Sequence, residues 1–128
     1  MKLAWIAALV SFLVCAPVAS NDGKNYQMQL GADAIAVCKS IEDARSNLEA
    51  SFVCLSWVNG AVQGAAITFS LEKEKPSYCT PDDGGSNQQY AEVFLKFLRD
   101  NPAKRHLPAI YLFHQAMAEA FPCNYANK

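Results

Sequence analysis

The side chains in this 128-residue chain whose types allow chemistry are five cysteines, two histidines and an adjacent pair of aspartates. Four of the cysteines, Cys38, Cys54, Cys79 and Cys123, are spaced 16, 25 and 44 residues apart. No zinc site has that spacing, and no Cys-x-x-Cys redox pair is present. His106 falls at an expected helix start and His114 on or beside an apolar helix face. A single histidine in such a place is usually a structural group. Asp82 and Asp83 have no nearby acid or nucleophile partner and read as solvated loop charge. There is no Gly-rich phosphate loop, no Gly-x-Ser-x-Gly and no His-Glu-x-x-His. The chain is therefore expected to be neither an enzyme nor a metal or cofactor carrier, and to act through its surface.

The fifth cysteine, Cys15, belongs to a different feature. Met1-Lys2 is a short positive start, Leu3 to Val14 is apolar apart from Ser11, and Pro17 precedes Val18-Ala19-Ser20. A charged start, a short apolar run and small residues at the end form a secretory signal, with cleavage expected after Ser20 or Ala19. Its apolar run is too short for a membrane anchor. The mature domain is then 21–128, exported to the periplasm or beyond. Losing Lys2 leaves 10 basic and 12 acidic side chains, a net of −2. That charge gives no general attraction to nucleic acid. Four cysteines remain, and an even count in an exported domain predicts two disulfides.

The elements that position these groups are helical. A short helix is expected from about Met28 to Cys38, with Leu30, Ala34, Ile35 and Val37 as its apolar set, and Lys39–Ser46 as a connector. Asn47 to about Leu71 is the longest helical segment, with no charged residue from Ala50 to Leu71. At 100° per residue, Cys54, Val58, Ala61, Ala65 and Phe69 share one face, and Ser56, Asn59, Gln63 and Ser70 share the other. Such a helix suits the middle of a bundle or a subunit contact, and the polar stripe is the candidate dimer face. Asn59 and Gln63 near its centre argue against stable membrane insertion. Gly60 and Gly64, four residues apart, predict tight helix packing.

Glu72–Asn87 has two prolines, two glycines and alternating charge, which predicts a loop. Ser86 with Gln89 fits a capping box, and Tyr90, Val93, Phe94, Phe97 and Leu98 form the apolar face of the helix it opens. Glu92 and Lys96 are expected to pair on its outer side. Asn101-Pro102 ends that helix. A last helix starts near Pro108, with Ile110, Phe113, His114, Met117 and Phe121 as its face, and stops at Pro122. No segment alternates with period two, so the fold class is all-α, a small bundle of about four helices.

Four cysteines allow three pairings, and topology favours one. The last two helices should lie antiparallel, which brings Cys79 beside Cys123 and leaves Cys38 with Cys54. The chain-entropy relation assigns these closures of 16 and 44 residues about 3 and ~4 kcal/mol. The loop held by Cys79 is long for a helical domain. With Lys73, Glu74, Lys75, Tyr78, Asp82 and Asp83 it reads either as a protein-binding tip or as a plain solvated connector.

The run Cys54-Leu55-Ser56-Trp57-Val58-Asn59-Gly60, then Cys79-Thr80-Pro81, Phe97-Leu98 with Asn101-Pro102 and His106, and the closing Ala120-Phe121-Pro122-Cys123 resemble the Rap/Tai family of type VI secretion immunity proteins. The resemblance spans about Cys38 to Cys123. It implies a periplasmic helical protein that binds and inhibits a peptidoglycan amidase effector, often as a homodimer, with an exposed loop entering the amidase site in Tai-type complexes. Asn101 stands where the family often has His, and the charged stretch Glu72–Tyr78 is particular to this chain. The residues alone also admit a periplasmic stress chaperone of the HdeA type.

Overall fold

The computed structural model describes residues 26–43, 45, 47–73 and 75–125. The expected signal segment and Glu74 lie outside the described residues. Four α-helices follow in order: α1 Gly31–Cys38, α2 Leu48–Glu72, α3 Asn87–Asp100 and α4 Ala109–Ala120. Short 3-10 turns at Lys39–Asp43 and Pro102–Lys104 extend α1 and link α3 to α4. Among the described residues there is no strand beyond an isolated bridge, so the all-α expectation holds.

Helix α1 starts at Gly31, three residues later than the apolar pattern suggests, because distant carbonyls set its start. The Gly31 amide donates to Leu107 O at 3.0 Å and the Ala32 amide to Arg105 O at 2.9 Å. In return the Ala109 amide donates to Gln29 O at 2.7 Å. The amides that a helix N-terminus leaves unpaired are thus satisfied by the segment leading into α4. Glycine is required at 31: a Cβ there would lie 2.6 Å from Leu112 Cδ1 and 3.1 Å from Arg105 Cα. Leu30, expected in the core, is 41% exposed.

Local signals set α2 and α3. The Asn47 carboxamide oxygen accepts from the Ala50 amide at 3.0 Å and starts α2. Lys73, with φ at 54°, ends it in the left-handed region. The Ser86 hydroxyl accepts from the Gln89 amide at 3.1 Å, the forward half of the expected capping box. Arg105 closes the other end of α3, its Nε donating to Leu98 O at 2.8 Å. On the outer side of α3, Lys96 pairs with Asp100 and Gln88 donates to Glu92, so the expected Glu92–Lys96 pair does not form.

The core sits where α2, α3 and α4 meet over α1. Phe94 and Phe113 are fully buried and meet edge to face at 5.4 Å. Trp57 stacks on Phe94 at 5.8 Å and meets Phe113 edge-on at 5.7 Å. The buried stripe of α2 is Cys54, Val58, Ala61 and Ala65, as its periodicity predicts, with Phe69 half-buried. In α4 the buried face is rotated from the expected one. Leu112, Phe113, Ala116 and Met117 lie inside, while Ile110 is 45% exposed. Both predicted disulfides are present, Cys38–Cys54 and Cys79–Cys123, with Cα atoms 5.1 and 4.9 Å apart.

Candidate functional site

Two surface features stand out, and both involve α2. Helix α2 is buried along one side only, so it does not run through the middle of the bundle. Its other side exposes Phe52, Ile67 and Leu71, together with the polar positions Ser56, Asn59, Gln63 and Ser70. No charge interrupts this face between Glu49 and Glu72. Gly60 and Gly64 do not serve packing among the described residues. A Cβ built on either meets nothing within 4 Å, which corrects the expectation of a tight internal contact. The gap runs toward α4, where Ile110 and His114 form the opposite wall.

The second feature is the loop between α2 and α3. Five contacts fix it in place. Cys79 is bonded to Cys123, and the Cys79 amide donates to Phe121 O at 2.9 Å. Tyr125 donates its hydroxyl hydrogen to Pro76 O, and Lys75 Nζ lies 5.2 Å from the Tyr125 ring centroid. Further on, the Gly85 amide donates to the Tyr90 hydroxyl at 3.0 Å. A Cβ at Gly85 would strike the Tyr90 ring at 2.5 Å, so glycine is needed for that close approach.

The loop residues singled out from sequence take different places. Lys73 and Lys75 are exposed, the first as the C-cap of α2 and the second beside Tyr125. Asp82 and Asp83 are exposed at the centre of a turn closed by the Gly84 amide on Pro81 O at 2.9 Å. Tyr78 departs from the picture of an exposed binding tip. It is 6% exposed, its ring rests 5.8 Å from His114, and its buried hydroxyl has no hydrogen-bond partner among the described residues. Burial raises the Tyr78 phenol above its ordinary value, and burial lowers His114. Tyr78 supports the loop from beneath, and its place beside the bonded Cys79 was the only local hint of this.

Between loop and helix lies a cleft of about 500 Å³. Val62, Ala66, Phe69 and Ser70 form its α2 wall, and Pro76, Tyr78, Thr80 and Asp82 its loop wall. Ser70 and Asp82, assigned to separate surfaces on sequence grounds, thus meet at one place.

Among the described residues no three His, Cys, Asp or Glu side chains converge in a way that would hold a metal ion. The cysteines that could have been nucleophiles are bonded to one another. What the arrangement offers is binding: an uncharged helix face and a stapled loop beside it. A family described as Rap1a immunity proteins matches this chain over residues 30–123, from the residue that caps α1 to the cysteine that closes the second disulfide. No curated protein and no solved structure matches it significantly.

Proposed function

This chain belongs to the Rap1a immunity protein family, and on that premise we propose that it binds and inhibits a type VI secretion peptidoglycan amidase effector in the periplasm. The observation that carries the reading is the extent of the match, which takes in all four helices and both disulfides. Inhibition by occupation needs a rigid, protruding surface and no chemistry of its own. The loop residues from Lys75 to Asp83 would supply that surface, because their ordering cost is met in advance by the disulfide and the contacts to Phe121 and Tyr125. Both disulfides need an oxidising compartment, which supports export, by way of a cleaved signal at 1–20, as part of the same reading. The mature protein acts as a homodimer through the α2 face that holds Ser56, Asn59, Gln63 and Ser70.

The test is a titration of the mature protein into a candidate amidase encoded beside it, read as peptidoglycan hydrolysis. Activity is expected to fall to baseline near one inhibitor chain per enzyme. A variant lacking Lys73–Ser77 should bind more weakly while keeping its helicity. Full inhibition by that variant would remove the loop from the mechanism. No inhibition of any adjacent amidase would remove the reading itself. The exposed apolar side chains of α2 also favour a second reading, a periplasmic chaperone of the HdeA type. Suppression of client aggregation at low pH by this protein would support that reading.

A further inference from the structure

The cleft between α2 and the stapled loop has a defined chemistry. Its α2 wall presents Val62, Ala66 and Phe69, which are apolar, and Ser70 at the edge. Asp82 is the one charged residue that lines it. The Asp82 carboxylate is exposed and forms no ion pair among the described residues. Lys75 of the same loop lies over the Tyr125 ring instead. The Tyr78 ring forms part of the wall, and its hydroxyl is the one buried hydroxyl among the described residues without a partner. The cleft therefore joins an aliphatic and aromatic wall to a single negative charge at its edge.

We propose that this cleft is the receptor for a basic side chain, arginine or lysine, projected by the protein partner. A long basic side chain is amphipathic in the matching order: an apolar stem that can lie along Val62 and Ala66, and a cationic head that can reach Asp82. The Phe69 ring adds a face on which a guanidinium can stack. An apolar side chain would leave the Asp82 charge without a partner at the edge of a closed contact, and an acidic one would be repelled. The inference deepens the inhibitory reading and rests on it for the identity of the partner. The chemistry of the cleft is testable without that partner.

The probes are three blocked tripeptides, acetyl-Gly-X-Gly-amide, with X as arginine, norleucine or glutamate. Each is titrated into the oxidised mature protein at low salt and followed by amide chemical shifts. The arginine peptide is expected to move the amides of Ala66, Phe69, Ser70, Thr80 and Asp82 along a saturable course. The norleucine and glutamate peptides should bind more weakly by about threefold or more, and Asp82→Asn should weaken the arginine peptide by a similar factor. Ser86→Ala, which changes the cap of α3 away from the cleft, serves as the control and should leave the titration unchanged. Equal affinity for arginine and norleucine peptides overturns the proposal. So does a full-strength arginine titration in Asp82→Asn, or shifts confined to other surfaces. These outcomes are distinct from failure of amidase inhibition, because no amidase is present.

Discussion

The ring of Tyr78 rests against the imidazole of His114, 5.8 Å between centroids, and through this contact the stapled loop sits on α4. His114 also meets Phe113 edge-on at 5.9 Å, so its ring has aromatic neighbours on two sides. Burial there disfavours the imidazolium and holds the group below its ordinary 6.5. On acidification the unfolded chain takes up this proton before the folded one does. The stability that His114 contributes is therefore fully present above about pH 6.5 and declines as pH falls toward the lowered folded value. Thermal unfolding followed by circular dichroism should show a midpoint that drops between pH 7.5 and 5. His114→Gln should flatten that slope. An equal slope in the variant would assign the pH dependence to another group.

The two disulfides differ in access. Cys38 and Cys54 are both 0% exposed, inside the contact of α1 with α2. Cys79 is exposed and Cys123 half-buried, at the loop surface. Thiol–disulfide exchange needs a thiolate to reach a sulfur, so access sets the order of reduction. Mild dithiothreitol under native conditions, followed by alkylation and peptide mass mapping, should label Cys79 and Cys123 first. Cys38 and Cys54 should stay protected until the domain unfolds. Simultaneous labelling of all four would contradict this order.

How much of this was legible beforehand depends on the distance over which each feature is decided. The Ser86 cap, the buried face of α3 and the buried stripe of α2 follow from residues within a turn or two of one another, and the periodicity finds them. The start of α1 follows from the carbonyls of Arg105 and Leu107, more than seventy positions away, and no local pattern holds that information. Ile110 was expected inside for the same reason. Leu112 packs against Gly31, and that pairing turns α4 and leaves Ile110 outside. The disulfide pairing was legible because an antiparallel hairpin brings its two ends together whatever its side chains. Tyr78 was misplaced because charged neighbours suggest exposure, while its ring fills the space over His114. The α2 outer face was recognised as unusual from its missing charges. That Gly60 and Gly64 open outward depends on how α4 packs beside α2, which no local pattern encodes.

Glycine has opposite meanings at two positions. At Gly31 a Cβ would lie 2.6 Å from Leu112 Cδ1 and 3.1 Å from the Arg105 backbone. The leucine can rotate but the backbone cannot follow cheaply, so Gly31→Ala is expected to cost about 1–3 kcal/mol. At Gly60 a Cβ meets nothing within 4 Å. In an isolated chain Gly60→Ala should stabilise α2 by about 0.5–1 kcal/mol through helix propensity. Urea unfolding of both variants at low protein concentration checks the pair. A neutral Gly31→Ala would mean that α1 and α4 can part without loss.

The Gly60 comparison changes sign if α2 is a dimer face, and that dependence tests the homodimer. Helix α2 has 25 residues and so runs roughly 37 Å, with Phe52, Gln63, Ile67 and Leu71 along its open side. A two-fold pairing sets the same face against itself, and an uncharged face is self-complementary because no like charges meet. With Gly60 and Gly64 at the crossing, two helix backbones can approach closely. Gln63 lies about one turn after Gly60 and directly beside Gly64, so Gln63→Arg would bring two like charges close together across the axis. Sedimentation velocity should show the wild-type protein as a dimer and Gln63→Arg as a monomer of unchanged helicity. Gly60→Ala should raise monomer stability at low concentration while weakening association. A Gln63→Arg protein that sediments as the wild-type dimer would move the contact away from α2.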